Sequence, residues 1–231
     1  LTAWRFRQRR WCLDGWRGGL EIVHCGGMAE ISSPSAGDRA SPELRERDVT
    51  RSFGWSNMFV RPEDDPRGEG GFDDERATLV GYLHDYRLTI ELKCSGLGAV
   101  DMARRSVEPS NLSLLGLVRH LADVERHWFR RVLDGQDVLS LYQRDDDRDA
   151  AFNGAVGDPD AVASAWAAWR EEVRFAERFV EEAPNLEVAG SYGTGEVIRL
   201  REVLVHMIEE YARHAGHADF LRERIDGRVG Q

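Results

Sequence analysis

Lysine is nearly missing from this 231-residue chain: Lys93 stands alone against thirty arginines. That bias has the look of GC-rich coding and carries no mechanism. Cysteine is scarce too, and Cys12, Cys25 and Cys94 are too scattered for a disulfide framework or a CxxC metal site. A reducing, cytoplasmic setting is therefore expected. No run of about 18 apolar residues occurs, so no membrane span is expected. Positive charge is not in excess. The formal net charge of −10 argues against nucleic acid as the main partner, because phosphate binding needs a basic face. What is present is 42% hydrophobic residues, with seven Trp, in a chain that is 31% charged. That is enough for the core of one ordinary domain with a tail.

The tail lies at the N-terminus. Residues 1–27 hold three Trp, five Arg and two Cys without usable periodicity, and no apolar stretch follows the basic residues, so no signal peptide is expected. Met28, or even Met58, is expected to begin the natural protein, the preceding residues coming from an over-extended reading frame. From Met28 to Gly71 the chain is rich in Ser, Pro, Gly, Asp and Arg. Such a composition buries too little apolar surface to offset ordering entropy. Residues 1–71 are thus expected to be a mostly disordered extension, dispensable for folding, and residues 72–231 the folded domain.

Four helical patterns follow. The first opens at Phe72-Asp73-Asp74-Glu75, carries Leu79, Tyr82, Leu83, Tyr86 and Ile90 on one face, and stops near Ser95-Gly96. The second, capped by Asn111 or Ser113, points Leu114, Leu117, Leu121, Val124, Trp128 and Val132 inward and stops at Asp134-Gly135. Residues 136–157 read as a polar connection whose run Arg144-Asp145-Asp146-Asp147-Arg148-Asp149 is a solvated loop or the lining of a site mouth. The third helix opens with Asp158-Pro159 and closes at Pro184. Turn chemistry around 188–195 leaves room for a small extended piece. The fourth runs from about Leu200 to Ile225 and ends at Asp226-Gly227. Together they predict an all-α, up-and-down four-helix bundle.

The last helix carries the densest chemistry. At about 100° per residue, His206, Glu210, His214 and His217 fall on one stripe along the border of the apolar face. Ligand-type side chains aimed inward are costly to bury unless something satisfies them, and a divalent metal does so. On the second helix His120 sits at the edge of the apolar stripe, aligned with Val124 and His127. Alone it reads as a hydrogen-bonded boundary histidine; opposite a ligand stripe it reads as a ligand. His206 lies two turns from His214, some 12 Å along the axis, and is expected outside any shared coordination sphere. Arg213 offers either an anion-binding group for a substrate or a surface ion pair. Cys94 reads as a reactive thiol or a packed residue, and Trp128, Trp166 and Trp169 as core.

Ser113 to Glu125, together with His206 to Glu223, resembles the DinB/YfiT-like metal-binding four-helix bundles. The likeness is greatest to the mini-circle-protein-like branch of unknown function, and it covers about residues 72–231. The resemblance implies a homodimer that carries zinc, nickel or a similar divalent ion, and imidazole and carboxylate ligands also admit iron and manganese. It also implies His120 as the ligand from the second helix, and Glu210 with His214 as a Glu-x3-His pair from the last. His217 is either a replacement for Glu210 or a supporting residue behind it. Some members of the superfamily transfer low-molecular-weight thiols such as mycothiol, or isomerise or hydrolyse small molecules. Two classes of function follow. One is a metal-dependent enzyme moving a thiol to a small electrophile; the other is a non-catalytic, stress-related bundle with a structural metal or a bound ligand. An open three-ligand shell favours the first, a closed four-ligand shell the second.

Overall fold

The computed structural model describes residues 59–68, 70–193 and 195–229. The expectations for residues 1–58, both candidate start methionines included, lie outside the described residues. Helix α1 spans Glu75–Cys94, and the Asp74 carboxylate caps it by accepting the Ala77 N–H at 2.8 Å. A short α2, Ala99–Ala103, follows. In α3, Leu114–Glu125, the cap is Ser113, whose hydroxyl accepts from Gly116 N. Asp158 caps α5, Pro159–Glu182, with proline in the first turn, where its missing N–H costs nothing. Helix α6, Leu200–Asp226, ends at Gly227, whose φ of 80° is the left-handed conformation glycine adopts without strain. These four long helices form the all-α bundle. Helix α1 lies along α6, α3 lies along α5, and α3 also meets α6.

Three local features add to the four helices. The second helix does not stay α-helical to its end. Beyond Glu125 it widens into a π-helical segment, Arg126–Leu133, closed by Asp134 N–H donating to Phe129 O at 3.0 Å. The wider turn brings Trp128, Phe129, Val132 and Leu133 all into the core. The polar connection contains a short α4, Ala150–Asn153, which buries Ala150, Ala151 and Phe152. Helix α4 comes so close to α3 that a Cβ on Gly116 would stand 2.7 Å from the Phe152 ring. The third feature is the small extended piece, an antiparallel hairpin of β1, Ala189–Tyr192, and β2, Glu196–Arg199, with Gly190 opposite Ile198. A Cβ on Gly190 would fall 2.1 Å from Val132 O, so the hairpin lies directly on the π segment.

Polar groups also cross the core. Arg87 of α1 donates to both oxygens of Glu125 of α3 at 2.8 Å each. Glu125 also accepts from the Tyr211 hydroxyl of α6 at 2.7 Å, and Trp169 of α5 donates to that hydroxyl at 2.8 Å. One hydrogen-bonded chain therefore touches all four long helices. Burial alone would push the Arg87 guanidinium down, but Glu125 outweighs it and holds the group firmly charged. Helix ends are tied the same way. Arg76 donates to Val180 O and Ala183 O at the end of α5, and Arg222 to Lys93 O and Ser95 O at the end of α1. Phe59, upstream of the expected start of the domain, lies 5.1 Å from Lys93 Nζ and 5.3 Å from the Arg222 guanidinium.

Candidate metal centre

Leu117 and Leu121 of α3, and Met207 and Tyr211 of α6, are all buried. Their packing fixes the rotation of both helices and leaves His120, Glu210 and His214 along the shared border. Glu210 Oε1 lies 3.0 Å from His120 Nε2 and 3.2 Å from His214 Nε2. Those three residues are the group of potential metal ligands among the described residues, their ligand atoms all within 4.8 Å of one another. A tetrahedral ion bound at about 2.0–2.2 Å asks for donors roughly 3.3–3.6 Å apart, so the residues fit a divalent ion with small adjustments. Two imidazoles and a carboxylate suit zinc, nickel, iron or manganese.

Charge in the cluster is arranged for a cation. Burial would raise the Glu210 carboxyl, yet the two imidazoles hold it well below the usual range, and it stays ionised. Burial pushes the His214 imidazole down, which keeps its ring neutral with a lone pair to give. Arg213 Nη1 donates to Glu210 Oε2 at 3.1 Å in an ion pair, with half of its side chain exposed. The Glu210 side chain is 6% exposed and that of His120 is 28% exposed, so approach from solvent is on the His120 side.

His217 does not converge with the other three. Its Nδ1 faces His214 Nδ1 at 3.2 Å, on the side of the ring away from Glu210. His206 is outside the cluster as expected, its ring 4.8 Å from Trp128. Exposed His84 is outside it as well, and so is His127, which burial, with help from Arg131 and His206, pushes down to about 4. Cys94 is buried and its thiol is pushed up to about 12, first by burial, so of its two readings the packed one holds. Two neighbours escaped the sequence reading. Phe152 of α4 stacks on His120 with ring centroids 5.4 Å apart, and buried Asp123 accepts from Leu141, Tyr142 and Gln143 N–H. An apolar Phe inside a polar connection was the available signal for the first. Nothing local marked the second.

A helical bundle with a His–Glu–His cluster between two of its helices defines the DinB/YfiT-like class of metal-binding proteins. Within that class, a family model described as mycothiol-S-transferase matches residues 78–227, which span all four long helices, and the chain belongs to that family. No curated protein matches the chain. Membership makes this a chain of a metal-dependent, thiol-transferring type with a small-molecule thiol as partner. Among the described residues, no helix is long and apolar enough to cross a membrane.

Proposed function

We propose that the protein transfers a low-molecular-weight thiol of the mycothiol kind to a small electrophile, at a divalent metal centre held by His120, Glu210 and His214. One observation carries this reading: Glu210 Oε1 stands 3.0 Å from His120 Nε2 on the facing helix and 3.2 Å from His214 Nε2 one turn along its own helix. Zinc or nickel is the preferred ion, and when bound it supplies positive charge that lets a thiol ionise at neutral pH. Transfer forms one S–C bond, releases a leaving group with its electron pair, and frees the thiol proton. The chain's own residues prepare for this. His217 stands against Nδ1 of His214, Arg213 holds the second Glu210 oxygen, and Phe152 stacks on the His120 ring. Three converging ligands, with His217 turned to the far side of His214, favour an open coordination position over a closed structural shell.

The test has two readouts. Protein purified without a polyhistidine tag is expected to carry about one divalent ion per chain, the stoichiometry of a three-ligand site. It is also expected to conjugate mycothiol to a chromogenic aryl halide. His120→Ala and His214→Ala should lose both. Full metal content without conjugation would leave a non-catalytic metal bundle, and metal retained by both variants would remove the site. A homodimer is part of the same proposal, checked by sedimentation at micromolar concentration, where a species of 26.2 kDa alone would contradict it.

A further inference from the structure

A cavity of about 770 Å³ opens between α3, the π-helical segment, α4 and the loop at residues 139–145. Its size falls in the range of about 300–1,000 Å³ typical of small-molecule sites. The wall is preformed. Asp123, buried on α3, accepts the backbone N–H groups of Leu141, Tyr142 and Gln143 at 2.5, 3.1 and 2.9 Å, which pins that stretch of loop in place. Arg119, one turn before Asp123, is held as firmly. Its guanidinium lies 4.4 Å from the Tyr142 ring centre, and Nη2 donates to Ala150 O at 3.2 Å. A Cβ on Gly154 would come within 2.8 Å of Nη2, so a glycine of this wall is what makes room for the arginine.

The charges here are not balanced as they are elsewhere. Arg87, Arg126, Arg130 and Arg222 each face a carboxylate at 2.5–2.8 Å. Among the described residues, neither Arg119 nor Arg131, which share this cavity, has a carboxylate within ion-pair distance. The Arg119 Nε is buried without an acceptor. Asp123, one turn from Arg119, has its oxygens taken by the loop. Two guanidinium groups without a carboxylate thus stand on one wall, where they are available to an anion. The acids of the lining limit its charge. Asp147 spends its oxygens on Asn153 Nδ2 and Asp149 N, while Asp145 stands exposed and repels a polyanion. The rim also presents Leu139, 86% exposed, and Leu141, 39% exposed, beside the Tyr142 ring.

We propose that this cavity binds a small amphiphilic monocarboxylate, its carboxylate drawn to the wall that carries Arg119 and Arg131 and its apolar body covered by Leu139, Leu141 and Tyr142. The proposal does not depend on the metal centre.

Calorimetric titration of the full-length protein with benzoate tests it, with acetate and inorganic phosphate as the comparison anions. Benzoate should bind saturably, and acetate more weakly because it lacks the apolar body. Arg119→Met and Arg131→Met should each weaken benzoate by about tenfold or more, as loss of a charge-assisted contact does. Metal content, measured on the same samples, should be unchanged in both. Three results would overturn the proposal: no saturable benzoate binding, benzoate binding retained in both variants, or phosphate binding as well as benzoate. Loss of metal in Arg131→Met, whose side chain is exposed, would overturn the independence of the two sites.

Discussion

Nδ1 of His217 stands 3.2 Å from Nδ1 of His214, while Nε2 of His214 faces Glu210. The two nitrogens of one imidazole thus serve two purposes. A metal bound at Nε2 requires the ring proton on Nδ1, and His217 is placed to accept it, which fixes the tautomer and ring orientation. In that geometry His217 is placed behind the proposed ligands, against His214, and does not converge with them.

A graded series of metal affinities follows. His120→Ala and His214→Ala should abolish stoichiometric metal, and Glu210→Ala should weaken it strongly. His217→Ala should cost about 10–100-fold in affinity, the usual effect of losing an outer hydrogen-bond partner. His84→Ala and His127→Ala should bind like the parent. Metal content and competition with a chelator rank the six proteins, and a His217→Ala variant as empty as His214→Ala would make His217 a ligand.

The Arg87–Glu125 pair should dominate bundle stability. Glu125→Ala leaves a buried guanidinium with only the half-exposed Glu177 at 3.7 Å and removes the acceptor of the Tyr211 hydroxyl, at a cost of about 3 kcal/mol. Replacing both charged partners by apolar residues, Arg87→Met with Glu125→Leu, should recover much of that loss. Urea unfolding of the two proteins decides the matter; equal destabilisation would mean that the polar network itself, and not the stranded charge, sets the cost.

Acid should weaken the fold through His127. Its folded pKa of about 4 lies below the ordinary value of about 6.5, so the folded state prefers the neutral ring. The unfolded chain takes up the proton first. Stability is complete above about pH 6.5 and declines as pH falls toward 4, by roughly 2–3 kcal/mol before allowance for partial exposure to water. Urea midpoints at a series of pH values, with chelator present so that metal release does not contribute, should show a shallower decline for His127→Gln than for the parent. Parallel curves would exclude His127 as the source.

Gly190→Ala should lift the hairpin off the π segment. A methyl group there would meet Val132 O at 2.1 Å, backbone against backbone, with no flexible side chain to yield. The expected loss is about 1–3 kcal/mol. Thermal melting checks it, and an unchanged midpoint would show that the hairpin shifts freely.

Removing residues 1–58 should leave the melting midpoint where it is. Removing residues 1–71 also takes away Phe59 beside Lys93 and Arg222, and the Arg67 Nη1–Thr89 hydrogen bond of 3.2 Å. That shorter protein should lose about 1–2 kcal/mol. Equal midpoints for both shortened proteins would place the boundary at residue 72.

The sequence by itself determined the four long helices, because caps such as Ser113, Asp158 and Gly227 and the 3.6-residue apolar period are local properties of the chain. It also marked His120, Glu210 and His214, since an i, i+4 pair on a helix border and one edge histidine leave few ways to converge. The tertiary structure decided the rest. Whether His217 turned toward Glu210 or behind His214 depended on side-chain directions that a helical wheel does not carry. The π turn after Glu125 arises where Trp128, Phe129, Val132 and Leu133 must all enter one core, a demand no ten-residue window contains. Glu125 and Arg87 lie on faces otherwise apolar, thirty-eight residues apart. Only the packing of α1 against its neighbours showed that each charge is there to satisfy the other.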